Sequence, residues 1–166
     1  MRSHAMSVTT TGQDYLSMAI DIATTNVHNA GGPFGAVVVA PDGQVFEGVN
    51  RVTANNDPSA HAEVVAIRTA AAALGTFDLS GCVLYSSCEP CPMCLATSLW
   101  ARIGKVFFAA NRHDAAVAGF DDAVFYDYFE AKSNRSLMPV NCFQSEGGEH
   151  LLPFKAWDSQ ESRTDY

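Results

Sequence analysis

Five cysteines occur in the chain, and four of them, Cys82, Cys88, Cys91 and Cys94, fall between positions 82 and 94. An odd count clustered in this way speaks against a disulfide framework and for a metal site. The densest part is Pro90-Cys91-Pro92-Met93-Cys94, at the start of one helix-like run, and His61-Ala62-Glu63 opens another. Zinc takes neutral imidazole and thiolate ligands in a tetrahedral shell. His61, Cys91 and Cys94 supply three, which leaves a fourth position for water, the layout of a catalytic rather than a closed structural site. One ion can hold all three only where the two helix starts meet.

Local placement supports this chemistry. Pro92 suits the first helical position, which puts Cys91 at the cap and Cys94 in the first turn. Both sulfurs then face unpaired N–H groups and the positive end of the helix dipole, which favours thiolate. Glu63, two residues after His61, reaches the water without binding the metal and is the candidate general acid/base. A Cys-x-x-Cys also suits a redox pair. Cys88-x-x-Cys91-x-x-Cys94 is similar to part of an iron–sulfur run, but no fourth cysteine follows at the spacing such clusters use. Cys88 is then a spectator, and Cys82 and Cys142 are expected as small buried apolar residues.

The apolar pattern orders the rest. Tyr15, Met18, Ala19, Ile22, Ala23 and Val27 recur at helical spacing across 14–29, and Gly31-Gly32-Pro33 ends that helix. Two extended runs, 35–40 and 45–50, flank Pro41-Asp42-Gly43 and predict a hairpin. Residues 53–60 read as a loop, 61–74 as an alanine-rich helix stopped by Gly75, 82–86 as a strand, 92–102 as a helix and 105–110 as a buried strand. Beyond these come a short helix at 111–118, an aromatic loop at 119–130, a strand at 139–144 and a terminal helix at 150–162. This order predicts an α/β fold, a three-layer helix–sheet–helix sandwich. Residues 1–12 form a polar N-terminal tail, part of it resembling an expression scar, and 13–166 form a single domain.

Composition narrows the function. Hydrophobic residues are 48% of 166 and charged residues 17%, enough apolar material for one core. The formal charge is −8, from 10 Lys+Arg against 18 Asp+Glu, so a nucleic-acid or anionic-membrane partner is not expected. No apolar run approaches a membrane span of ~20 residues, and no signal core opens the chain, which predicts a cytoplasmic protein.

The sequence resembles the cytidine deaminase-like superfamily of zinc deaminases and, within it, the bacterial guanine deaminases. Four segments carry the likeness: Gly31-Gly32-Pro33-Phe34-Gly35-Ala36-Val37, Asn55-Asn56-Asp57-Pro58-Ser59-Ala60-His61-Ala62-Glu63, Ser87-Cys88-Glu89-Pro90-Cys91-Pro92-Met93-Cys94 and Ala118-Gly119-Phe120-Asp121-Asp122. The second and third are widespread, including in tRNA adenosine deaminases; the fourth and the tail tilt the resemblance toward guanine. The resemblance implies a central five-stranded mixed sheet, one Zn²⁺ per subunit and a homodimer that can exchange C-terminal segments. It implies that Asn50, the Ala62 backbone and Phe34 contact a purine. It also implies that Asp122 contacts the base and assists proton transfer beside a turn-forming Asp121, with the two roles open to exchange. Tyr166, the final residue, is implied to close over the pocket.

The expected reaction is hydrolysis of guanine to xanthine and ammonia, with zinc bringing the pKa of its water toward ~7 and Glu63 shuttling the proton. Three alternatives stand beside it. One is deamination of guanosine, cytosine, ammeline or another aminated heterocycle. Another is a tRNA adenosine deaminase, which should carry a basic surface that a charge of −8 does not suggest. The third is a non-enzymatic structural metal module, which needs a closed four-ligand site.

Overall fold

Gly43, with φ +88°, and an Asx turn in which Gln44 N–H donates to Asp42 Oδ1 at 3.0 Å reverse the chain between two apolar runs. The result is an antiparallel hairpin of β1 (Gly35–Val39) and β2 (Val45–Val49). On its other side β1 pairs antiparallel with β3 (Val83–Cys88), and β3 pairs parallel with β4 (Lys105–Ala110), giving the order β2-β1-β3-β4. A parallel pair needs a crossover. The helix α4 (Pro92–Trp100) supplies it between β3 and β4. The computed structural model describes residues 11–130, 137–142, 147 and 149–164. The chain forms two compact units, Met1–Phe125 and Tyr126–Tyr166.

Strand register sorts the helices onto opposite faces of the sheet. Helix α1 (Gly12–His28) starts at a capping box, Thr11 with Asp14, and packs so closely on β1 that a Cβ at Gly35 would lie 2.4 Å from Ala19 O. Ala36, one residue along, points to the other face, where its partners are Gly48 and Ser86. There α3 (Ala62–Leu74) lies against the hairpin, and a Cβ at Gly48 would sit 2.3 Å from both Ala62 O and Ala66 N. Ala36, Val38, Phe46, Ala62, Ala66, Ile67, Leu79 and Leu84 fill the core between α3 and the sheet. This is the expected helix–sheet–helix α/β arrangement.

Several boundaries differ from expectation. The sheet of the described residues has four strands rather than five. The fifth was expected at 139–144; residues 139–142 form no strand, Pro139 having no N–H to give to a ladder, and 143–144 lie outside the described residues. The loop at 53–60 begins with a single helical turn, α2 (Val52–Asn55), ended by Asn56 in the left-handed region at φ +50°. Strand β3 runs two residues past Ser86 to Cys88. On α1 the inward stripe is Ala19, Ala23 and Asn26, while Val27 is 49% exposed, so a polar residue takes the buried place given to valine.

A short helix α5 (Arg112–Val117) follows β4, capped by Asn111. The aromatic segment after it contains α6 (Ala123–Phe129), not only loop. In the C-terminal unit Tyr128 is buried and donates to Met138 O at 3.0 Å, and a 3₁₀ turn (Glu149–Leu151) leads into α7 (Leu152–Asp158), shorter than the predicted 150–162. No helix among the described residues is long and apolar enough to cross a membrane.

Candidate metal and active site

The starts of α3 and α4 converge. His61 is the N-cap of α3 and Cys91 the N-cap of α4, both with extended backbone, and Pro92 occupies the first turn of α4 as its fixed φ favours. Neither cap residue makes a side-chain capping bond at its helix start. Instead both turn toward a common point with Cys94. His61 Nδ1 lies 3.6 Å from Cys91 Sγ and 3.6 Å from Cys94 Sγ, and the two sulfurs are 3.6 Å apart.

That triangle can be tested against zinc. Bonds of about 2.3 Å to sulfur and 2.0–2.1 Å to nitrogen at tetrahedral angles separate ligand atoms by about 3.5–3.8 Å. All three observed edges fall in that interval. The donor set of one imidazole and two thiols is also zinc's own preference. Among the described residues no further His, Cys, Asp or Glu joins the group, so one tetrahedral position is left open.

The electrostatics follow from crowding. The hydrogen bond shared with Cys94, aided by His61, brings the Cys91 thiol down to about 4, and the same bond, with burial, pushes Cys94 upward. The hydrogen bond to Cys91 raises His61. One thiolate is thus already favoured before any metal arrives, and Cys94 carries a proton that metal binding releases.

Glu63 stands on the first turn of α3, 6% exposed, and Ser86 Oγ on β3 donates to its Oε1 at 3.3 Å. Burial lifts its carboxyl above the usual range. A carboxyl whose charged form is disfavoured by burial, beside a metal group with an open position, suits proton transfer. Asp122 is half-buried; burial and the negative charge of Cys91 raise it, while Arg112 opposes the rise. Its charge reaches His61 as well. Asp121 is exposed and accepts the Ala123 N–H at 3.0 Å, which makes it the turn-former.

The remaining predicted residues sort as follows. Asn50 follows β2, is 9% exposed, and is held next to the site because Arg51 N–H donates to Ala60 O, the residue before His61, at 2.9 Å. Ala62 is wholly buried, and its N–H is among the first four of α3, which no carbonyl of the helix can take. The Phe34 ring meets Phe120 edge-on at 5.0 Å. Both line an apolar groove of about 520 Å³ between α1, the end of β4 and α5, a groove that none of the three ligands borders. Tyr166 lies outside the described residues. Cys88 is buried and pushed up to about 11 by desolvation, and Cys82 is buried, as expected; Cys142 is exposed, contrary to expectation, because 139–142 contributes to no sheet.

Three supporting residues escaped the sequence reading. Ser86 had no signal beyond its place in an apolar strand. Glu89 accepts the Arg112 N–H at 3.0 Å and lies 3.6 Å from its Nε, tying the metal loop to the start of α5. Asn26 had a signal: a polar residue on the apolar stripe of α1, three positions after Ala23.

Residues 9–110 match the family model for the cytidine and deoxycytidylate deaminase zinc-binding region. The chain belongs to that family of zinc-binding deaminases. It is similar to guanine deaminase of Bacillus subtilis (strain 168), 45% identical over 155 residues, 93% of this chain and 98% of that protein. The X-ray structure of guanine deaminase from Bacillus subtilis superposes with a TM-score of 0.86 at 44% identity, covering 95% of this chain and 99% of the other. Guanine deaminase from Nitrosomonas europaea gives 0.64 at 32% identity, over 69% and 66%. A tRNA-specific adenosine deaminase of Aquifex aeolicus is 36% identical over 66% of this chain and 75% of that protein.

Proposed function

We propose that this enzyme hydrolyses guanine to xanthine and ammonia. The observation that carries the reading is the reach of the likeness to a guanine deaminase: it extends over nearly the whole of both chains, past the shared zinc region and through Asp122. The likeness to the tRNA-specific deaminase stops at two thirds of this chain, and a net charge of −8 disfavours a polyanion. The whole of 13–166 then serves as one deaminase domain, in the cytoplasm, where thiol ligands stay reduced.

His61, Cys91 and Cys94 hold the zinc, whose chemistry is to make a water acidic enough to act as a nucleophile near neutral pH. Glu63 takes the proton of the water that attacks C2 of guanine and passes it to the neighbouring ring nitrogen. The C2–N bond then breaks. Glu63 or Asp122 takes the remaining proton from the new C2 hydroxyl and delivers it to the departing exocyclic amine, so that guanine and water become xanthine and ammonia. Asn50, the Ala62 N–H and Asp122 pair with the polar edges of the base, each unpaired buried group being worth about 1–3 kcal/mol. Phe34 packs beside the ring.

A homodimer suits the apolar residues left outside. Leu99 is 78% exposed, Phe107 and Phe108 lie on β4 half-exposed, and β4 is an edge strand among the described residues. In this reading Tyr166 is a substrate-binding residue, supplied by its own subunit or by exchange of C-terminal segments.

Ultraviolet monitoring of zinc-loaded protein against guanine, guanosine, cytosine, ammeline and adenosine-34 tRNA tests the proposal. Guanine is expected to turn over fastest; no xanthine at micromolar enzyme would overturn it. Sedimentation of wild type and a Tyr166 deletion tests the dimer and the role of the tail.

A further inference from the structure

The side chain of Asn26 is 3% exposed and makes cross-chain bonds that nothing in α1 itself requires. Its Nδ2 donates to Gly32 O at 2.9 Å and to Asn50 O at 2.8 Å. Its Oδ1 lies 3.5 Å from Arg51 Nη1, which also donates to Asn29 O at 3.3 Å. Its own carbonyl accepts the Gly31 N–H at 2.9 Å. One buried amide therefore joins three segments: the end of α1, the glycine turn, and the residue leaving β2.

The turn is moulded to that amide and to Asn50. A Cβ at Gly31 would lie 2.1 Å from Asn26 Nδ2, and a Cβ at Gly32 would lie 2.9 Å from Asn50 Cγ and Oδ1. Asn50 is boxed on its other sides. Its N–H donates to Phe34 O at 3.0 Å, and its Oδ1 accepts the Val52 N–H at 3.3 Å. With Oδ1 turned to Val52, the orientation of the carboxamide is set, and Nδ2 is the end of it that is not committed to that bond.

We infer that Asn26 is a positioning residue for substrate binding: by clamping the backbone of Asn50 and the glycine turn over it, it holds the Asn50 carboxamide ready for the purine edge. This rests on the reading of Asn50 as a purine-binding residue. A preset donor loses little freedom when the base arrives, so the clamp acts on affinity rather than on proton transfer.

The test is a mutant cycle on the zinc-loaded protein, with guanine as probe and its dissociation constant measured by calorimetry in the slow Glu63→Gln background. Asn26→Asp keeps the shape of the side chain but has no N–H to give to Gly32 O or Asn50 O. Asn26→Ala removes both donors. Each is expected to weaken guanine binding roughly tenfold or more with full zinc content, and to add nothing in an Asn50→Ala background. Gly31→Ala keeps the Asn26 residue but drives a methyl against its amide and so lifts it off its acceptors. It should weaken binding likewise and fall silent in the same background, and it decides the matter if the Asn26 variants do not fold. Unchanged binding in these variants, or losses that multiply with that of Asn50→Ala, would overturn the inference. If Asn50→Ala alone binds guanine normally, the role of Asn50 fails first and the inference with it.

Discussion

Ser86 Oγ on the central strand β3 donates to Glu63 Oε1 on the first turn of α3 at 3.3 Å, with both groups buried. The bond crosses from sheet to helix on the face where Ala36, Gly48 and Ser86 stand side by side in register. It fixes one carboxyl oxygen of a side chain that also hydrogen-bonds Cys94 and whose charge is felt at His61.

Glu63→Gln should therefore keep its zinc and lose turnover. General acid–base groups contribute typically 10²–10⁴-fold, and kcat is expected to fall by about that much. Zinc analysis beside kcat checks it. Wild-type turnover, or loss of the metal, would remove Glu63 from the role of proton shuttle.

Asp121 and Asp122 should separate cleanly. Asp121 gives its carboxylate to the Ala123 N–H, so Asp121→Asn, which retains an acceptor oxygen, should change kcat less than about threefold. Asp122, whose charge is felt at His61 and Cys91, should lose about tenfold or more in kcat as Asp122→Asn. The reverse order in steady-state kinetics would exchange their roles.

Metal removal should expose one unusually acidic thiol. With Cys91 lowered to about 4, it is thiolate throughout pH 6–9, so its alkylation in chelated protein should be rapid and almost independent of pH in that range. Cys88, raised to about 11, should be slow and should gain about tenfold per pH unit over the same range. Peptide mapping by mass spectrometry distinguishes the two. A tenfold rise per unit at Cys91 would contradict the shared hydrogen bond with Cys94.

Two glycines should differ in what their substitution does to the metal site. Gly48→Ala drives a methyl into Ala62 O and Ala66 N, which are backbone and cannot swing aside. Moving α3 costs about 2–3 kcal/mol and displaces His61 and Glu63 together, so both stability and zinc affinity should drop. Gly75→Ala meets nothing within 4 Å, and its strain comes from φ +66° alone. It should cost about 1 kcal/mol and leave zinc affinity as it was. Thermal melts with a zinc competition assay give both quantities.

The metal ligands were legible in the sequence because their chemistry is written in local spacing: a proline sets the helix start, and the ligands sit at it or in its first turn. The layers were legible from period and turn residues. The edges of the fold were less so. The α2 turn at Val52–Asn55 depends on Asn50 Oδ1 accepting the Val52 N–H, and α6 follows the Asx turn at Asp121; neither has an apolar period to announce it. Ser86, Glu89 and Asn26 were hidden for a further reason. Their partners are 23 to 24 positions away in sequence, and such bonds exist only once the sheet register has been set.

Cys91 and His61 are separated by 30 positions. An ion holding both is a cross-link as well as a reagent. Closing a loop of that size removes freedom from the unfolded chain worth about 3–4 kcal/mol on the scale known for disulfides, apart from the ligand bonds themselves. Because the ends of that loop lie at the starts of α3 and α4, everything between them, including the whole of α3 and β3, is tethered by the same atom. Loss of zinc then threatens the enzyme's persistence as well as its turnover, and supply of the metal becomes a condition for how much folded protein a cell retains.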